Sequence, residues 1–107
     1  MDVALNMLTG GIPSEIGLLT ALYGMDASHN NLTSTIPSEM GQLTSLKAVS
    51  MAENQMTGRI PTQFGLLTKL EQLLLDTNSF NSTIPAHLGR LTSLEVLRLT
   101  SNEVRTS

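Results

Sequence analysis

Three residues of the types that catalyse hydrolysis lie almost side by side, namely Asp26, Ser28 and His29. A serine hydrolase needs its serine hydroxyl on one imidazole nitrogen and its carboxylate on the other. Here the Asp and Ser side chains project side by side from one predicted strand, with the His at its end. Three nearly consecutive residues cannot easily form that chain of contacts. We therefore interpret the group as an exposed polar patch and expect no enzymatic activity in this chain.

Metal and cofactor sites are not indicated either. Asp2, Asp26 and His29 offer oxygen and nitrogen ligands, but nothing supplies the remaining ligands of a defined cage. The chain has no Cys, which excludes disulfides, thiolate zinc sites and Cys nucleophiles. Every periodic glycine has a structural explanation, so no phosphate-binding loop is expected. We expect neither a cofactor nor a metal.

The composition excludes several classes of partner. The 107 residues carry a net charge of −3 with only six Lys and Arg, which argues against nucleic acid and anionic membranes as main partners. The longest apolar run has three residues, so no transmembrane helix and no direct membrane contact are expected. No signal-peptide pattern follows Met1.

The whole chain repeats with a period of 24 residues. An asparagine, an Ile-Pro pair and a glycine recur at this spacing, and several leucine columns recur with them. The asparagines are Asn6, Asn30, Asn54, Asn78 and Asn102, the prolines Pro13, Pro37, Pro61 and Pro85, and the glycines Gly17, Gly41, Gly65 and Gly89. So many columns at one period indicate an array of one repeated unit.

Each unit contains a short strand, a turn and a tight helical segment. In one unit the alternation around Leu73–Asp76 predicts the strand, and Asn78 marks the turn that follows. Pro85 ends pairing and starts the helical turn, which Gly89 is expected to close with a positive φ. One unit cannot bury its apolar residues alone, whereas stacked units can. The pattern therefore predicts an α/β solenoid with one parallel strand per coil and right-handed connections.

The repeat resembles the plant-specific class of the leucine-rich repeat family, LxxLxLxxNxLxGxIPxxLGxLT. One unit reads Leu46-x-x-Val49-x-Met51-x-x-Asn54-x-Met56-Thr57-Gly58-Arg59-Ile60-Pro61-x-x-Phe64-Gly65-x-Leu67-Thr68. Close variants also occur in repeat proteins of diatoms and other algae. The resemblance implies a right-handed superhelix with the parallel sheet on its concave side and short 3-10 or helical turns on its convex side. It also implies a non-catalytic module that binds proteins or peptides, as in receptor-like kinase and receptor-like protein ectodomains.

The sequence departs from this pattern at several positions. Ser34 and Ser82 occupy a glycine slot, and the change is expected to matter little if φ there is negative. Ala27 occupies a Leu slot, which is expected to leave a small void unless neighbours such as Met25 and Met51 fill it.

The two ends lack the family's caps. Residues 1–107 are expected to form a single array of 24-residue repeats with partial repeats at both ends. Met1 occupies the position of a strand Leu in the family pattern, and Val104 is the last core position. Solenoids need polar caps. We therefore interpret the chain as a segment that stacks on further repeats of a longer protein. Any kinase domain of that protein is expected to lie outside residues 1–107.

The positions that point out of the sheet vary from unit to unit, unlike the core columns. One such row is Asp2, Asp26, Ser50, Leu74 and Arg98, and another is Leu5, His29, Glu53, Thr77 and Ser101. Varied side chains on a regular scaffold are typical of a recognition face. The alternative is that exposed positions vary because nothing constrains their side chains. The candidate ligand contacts are Asp26, His29, Glu53, Asp76 and Arg98. The ladder asparagines are interpreted as structural.

Two N-x-T sequons begin at Asn31 and Asn81 and are candidate glycosylation sites. Together with the resemblance they favour a secreted or cell-surface, membrane-tethered parent. A cytoplasmic scaffold of the same fold and a structural spacer within a longer array are the alternatives. The identity of the ligand is not encoded in any motif.

Overall fold

The computed structural model describes residues 2–4, 9–81 and 83–103, with the backbone alone at residues 2–4 and 9. The predicted positions Met1, Asn6, Ser82 and Val104 lie outside this part of the chain. Each helix of the described residues is a short turn, well below the length and apolarity that a membrane crossing requires.

Five short strands, one per coil, lie parallel in one sheet and follow each other in chain order. Numbered along the chain with the smaller strands, they are β1 (Asp2–Ala4), β3 (Gly24–Asp26), β5 (Ala48–Ser50), β7 (Gln72–Leu74) and β9 (Val96–Arg98). The predicted parallel sheet is thus confirmed. Two smaller parallel sheets, which the sequence did not predict, pair β2 (Thr9–Gly10) with β4 (Asn31–Leu32) and β6 (Thr57–Gly58) with β8 (Ser79–Phe80).

The register of the main sheet follows the 24-residue period from β3 onwards. Met25 pairs with Val49, Val49 with Leu73, and Leu73 with Leu97. Because alternate residues of a strand face the same side, each pairing places the inward apolar residues of successive coils in one row. This row is the strand contribution to the core.

The first strand departs from that register. Asp2 pairs with Gly24 and Ala4 with Asp26, an offset of 22 residues. The prediction that Asp2 lies beside Asp26 was therefore wrong by two residues. The small sheets show no such change between coils, because β2 pairs with β4 at the same 22-residue offset as β6 with β8. A displacement of two residues leaves the two faces of the strand unchanged.

A 3-10 helix of five residues lies in each coil, directly after the periodic proline. These helices are η1 (Ser14–Leu18), η2 (Ser38–Gln42), η3 (Thr62–Leu66) and η4 (Ala86–Arg90). Each proline caps its helix with extended backbone, and its carbonyl accepts the first hydrogen bond, as from the Phe64 N–H to Pro61 at 3.1 Å. Since proline has a fixed φ and no N–H, it fits this position. The predicted tight turn after each proline is confirmed.

The periodic glycines have a different role from the predicted one. They lie inside the 3-10 helices, and the positive-φ glycines of the described residues are instead Gly10 and Gly58. A Cβ added at Gly65 would come within 2.8 Å of the His87 carbonyl oxygen in the next coil, and one at Gly41 within 2.7 Å of the Gln63 Cβ. The glycine is required for close approach of neighbouring coils and not for a positive φ.

The serine in the glycine slot is strained. Ser34 has a φ of 72°, close to the 77° of Gly10 and the 83° of Gly58 at equivalent positions. The condition under which this substitution would matter little, a negative φ, is therefore not met. A left-handed conformation costs an L-residue about 1–2 kcal/mol, which glycine avoids.

The core is a continuous apolar interior between the sheet and the 3-10 helices. Leu70, Leu73 and Phe80 are fully buried, as the repeat predicts for their positions. Ala27 is fully buried despite its small size, and Met25 and Met51 are buried in the same core. Burial declines in the last described coil, where Leu97 is 38% exposed while its partner Leu73 is inaccessible.

Candidate functional site

The side chains that could bind a partner project from the outer face of the main sheet. Asp26, Ser50, Leu74 and Arg98 are paired in register and form one outward row. Gly24, Ala48, Gln72 and Val96 form a parallel second row. The predicted rows thus hold from β3 to β9. Their members differ in size and charge, whereas the inward rows are uniformly apolar.

The periodic asparagines anchor the turn at the end of each strand. The Asn54 amide nitrogen donates to the carbonyl oxygens of Met51 in its own coil and Ala27 in the preceding coil, both at 3.0 Å. Its amide oxygen accepts the Leu32 N–H at 3.0 Å. Asn78 and Asn102 repeat the same pattern one and two coils further on. Each asparagine therefore satisfies backbone groups of two coils at once.

The residue before each of these asparagines has left-handed backbone. These residues are His29 (φ 56°), Glu53 (φ 58°), Thr77 (φ 60°) and Ser101 (φ 56°). The conformation turns the chain out of the strand while the N–H groups of the first three still donate to carbonyl groups of the next coil. Sequence reasoning placed these residues in an outward row but missed their backbone conformation, because none is glycine. The available signal was their fixed place directly before the ladder asparagine.

Two of the candidate contacts, His29 and Glu53, meet shortly after the ends of β3 and β5. The Nδ1 atom of His29 lies 2.5 Å from Oε2 of Glu53, and the side chains are 69% and 51% exposed. Pairs with this exposure contribute little to stability because water and salt screen them. The pair is therefore better placed to meet a partner than to hold the fold.

Asp26 is held in place by Ser28. Its Oδ1 atom accepts the Ser28 hydroxyl at 2.6 Å and the Ser28 N–H at 3.0 Å. These two hydrogen bonds, with a smaller contribution from nearby His29, lower the pKa of Asp26 below its usual value and outweigh the effect of burial. The serine hydroxyl donates to the carboxylate and the imidazole faces Glu53, so the three residues are not linked in the order that a hydrolase needs.

A shallow depression lies on the sheet face over β3, β5 and β7. Its volume is about 400 Å³, and it is open to solvent. Its outward lining consists of Tyr23, Gly24, Asp26, Lys47, Ala48, Ser50, Gln72 and Leu74. The depression exists because Gly24 and Ala48 place almost no side chain in the middle of the face. Sequence reasoning named these residues as rows but did not find the depression, although two small residues in consecutive units were the signal.

The remaining candidates do not converge on this depression. Asp76 follows β7 and is half-buried, while Arg98 ends β9 and is exposed. Of the five predicted contacts, only Asp26 lines the depression, and His29 and Glu53 form the pair at the strand ends. Among the described residues no group of three or more His, Cys, Asp or Glu is arranged to hold a metal ion.

The sequon residues lie on a flank of the solenoid away from the main sheet. Asn31 is exposed in β4, and Thr33 of the same sequon is exposed as well. Asn81 directly follows β8 and is exposed with Thr83, while Ser82 lies outside the described residues. Both asparagines therefore adjoin the small sheets.

Comparison with known families identifies the repeat. A family model described as a leucine-rich repeat region matches residues 5–107. A comparison with curated proteins finds no match.

Several solved structures with the same fold are ectodomains of plant receptor kinases. The ectodomain of the Arabidopsis thaliana membrane receptor kinase GASSHO1/SCHENGEN3, in complex with CASPARIAN STRIP INTEGRITY FACTOR 2, has a TM-score of 0.92 at 34% identity, over 96% of this chain and 12% of that one. The Arabidopsis receptor kinase HAESA ectodomain, in complex with an extended IDA peptide hormone, has a TM-score of 0.89 at 39% identity, over 92% and 17%.

A third similar structure is the BIR3–SERK2 complex from Arabidopsis thaliana, with a TM-score of 0.89 at 32% identity, over 97% of this chain and 56% of that one. The chain thus spans between about one eighth and just over half of the proteins that it matches.

Proposed function

Because the chain belongs to the leucine-rich repeat family, we propose that it is a non-catalytic recognition module whose sheet face binds a protein or peptide. In this proposal the chain is a segment of a cell-surface or secreted receptor-like protein. It stacks on further repeats, and a kinase domain, if there is one, lies outside these residues.

One observation carries the proposal, namely the contrast between the two faces of the same strands. The inward row Met25, Val49 and Leu73 is buried and apolar. The outward row of the same strands changes from an acid to a hydroxyl to an apolar side chain and then to Arg98. A rigid scaffold with varied exposed side chains supplies a pre-organised surface, which lowers the entropic cost of binding.

The similar structures support the same class of partner. Two of them are ectodomains in complex, one with a peptide hormone ligand and the other with CASPARIAN STRIP INTEGRITY FACTOR 2. Each is longer than this chain, which supports the place of the chain within a longer array.

A direct test uses peptides selected from a random library on this chain. It compares their binding to two variants in which charged side chains are replaced by neutral amides. The face variant combines Asp26→Asn, Asp76→Asn, His29→Gln and Arg98→Gln. The control variant also removes two carboxylates, one His and one Arg, but from the 3-10 helices. Its substitutions are Glu15→Gln, Glu39→Gln, His87→Gln and Arg90→Gln. Peptides selected on the unmodified chain should lose binding to the face variant and keep it with the control. Equal loss in both would contradict a sheet-face site.

The cell-surface assignment has its own test. Both sequon asparagines are exposed, as an acceptor site requires. Expression through a secretory pathway should yield a chain whose mass falls on enzymatic removal of N-glycans. Asn31→Gln and Asn81→Gln should each remove one glycan. A secreted chain without any glycan would remove this support and favour a cytoplasmic scaffold.

A further inference from the structure

The depression on the sheet face has an uneven distribution of charge. One border is formed by Tyr23 and Lys47, which precede β3 and β5, and the opposite border by Asp26 and Ser50, which end these strands. The basic group and the carboxylate therefore stand on opposite sides of a floor made of small residues.

The distance between the two charges keeps them from pairing with each other. Lys47 adjoins Tyr23 in the next coil, so it lies one strand across and three residues along from Asp26, roughly 11 Å between Cα atoms by strand geometry. At such a distance in solvent two opposite charges attract each other only weakly. Lys47 is exposed, and within the described residues neither Lys47 nor Asp26 forms a salt bridge, since the close contact of this face joins His29 and Glu53.

The carboxylate is also presented in a fixed direction. Ser28 occupies Oδ1 of Asp26 with two hydrogen bonds, which orient the group and leave Oδ2 outside these bonds. Tyr23 is 50% exposed at the facing border, and the half-buried Leu74 closes the third side. A long basic side chain that lies across the floor therefore has its charged head at Asp26 and its apolar stem towards the Tyr23 ring.

We infer that the depression is a subsite for a peptide segment with one basic and one acidic side chain, the basic group on Asp26 and the acidic group on Lys47. The inference rests on the proposed function and adds the chemistry of the ligand to it. In an extended peptide, side chains two residues apart point to the same side about 7 Å apart at their Cα atoms. Long side chains extend this span to the separation of the two borders.

The experiment uses short blocked peptides and amide NMR spectra of the ¹⁵N-labelled chain. The probe is acetyl-Arg-Gly-Glu-amide, and two analogues carry citrulline in place of arginine or glutamine in place of glutamate. Shift changes should concentrate at Gly24, Asp26, Ala48 and Ser50. Each neutral analogue should bind about two- to fivefold more weakly, as expected for partly exposed ion pairs.

Substitutions assign each charge to its partner. Asp26→Asn keeps an acceptor for Ser28 and should abolish the preference for arginine over citrulline. Lys47→Gln should abolish the preference for glutamate over glutamine and leave the arginine preference intact. Asp76→Asn, on the same face but outside the depression, should change neither preference.

The outcomes separate this inference from the proposed function. Shifts confined to the region around Asp76 and Arg98 would overturn the subsite, while the sheet face would remain the binding surface. Equal affinities for all three peptides, or no shifts in the depression, would also overturn the subsite. The proposed function would then be decided by the library selection alone.

Discussion

Asn54 and Glu53 are neighbours in the chain with opposite environments, one 9% exposed and the other on the open face. Asn54→Ala removes hydrogen bonds to Ala27, Met51 and Leu32. It should lower the free energy of unfolding by about 1–3 kcal/mol because backbone groups are left unpaired. Glu53→Ala loses only an exposed pair and should cost less than about 0.5 kcal/mol. Denaturant unfolding measures both values, and equal costs would contradict the role of the asparagine ladder.

Ser34 offers a stabilising substitution at the same scale. Its φ of 72° is left-handed, so Ser34→Gly should raise the free energy of unfolding by about 0.5–1 kcal/mol, after allowance for the greater freedom of glycine in the unfolded chain. Ser38→Gly is the matched control, since Ser38 begins η2 and has no positive φ. That substitution should be destabilising by a similar amount. Destabilisation by both glycines in thermal or denaturant unfolding would show that Ser34 is not strained.

At the scale of the elements, the 3-10 helices are held at a distance that only glycine permits. Gly65→Ala would place a Cβ within 2.8 Å of the His87 carbonyl oxygen, a backbone atom that moves only if the coils separate. We expect a loss of about 1–3 kcal/mol, as for other overpacked positions. The same change at Gly89, where a Cβ meets nothing within 4 Å, should be neutral or stabilising by up to about 1 kcal/mol.

Unfolding curves of these two variants test the spacing of the coils. A loss at Gly89 as large as that at Gly65 would mean that both positions act through local backbone conformation and not through the next coil. The comparison is well matched, because both glycines lie in the same position of 3-10 helices of equal length.

For the whole molecule, the size of the sheet face limits affinity. Five strands with about four outward residues each cover about 300 Å², well below the roughly 800 Å² per partner of a standard interface. Tyr23 is the one exposed aromatic side chain among the described residues of the face, and hot spots favour such residues. Peptides selected on this chain should therefore bind weakly, with dissociation constants above the micromolar range. Sub-micromolar binding by calorimetry that the face variant abolishes would reveal a compact site.

The period of the sequence by itself determined the architecture. A column of apolar residues every 24 positions allows burial only if the units stack, and this requirement predicted the parallel sheet, the inward rows and the turn after each proline. It also predicted which side chains between β3 and β9 point outward. These features follow from local rules of strand alternation and proline geometry, which act within one unit and are repeated in every other.

Only the tertiary structure decided how successive coils meet. The close approach at Gly65 and the two-residue displacement of β1 depend on distances between coils that no period encodes. The same holds for the depression, which arises where Gly24 and Ala48 lie side by side in space, 24 residues apart in the chain. A sequence repeat specifies which residues become neighbours, whereas the shape and charge between them follow from how closely the backbones pack.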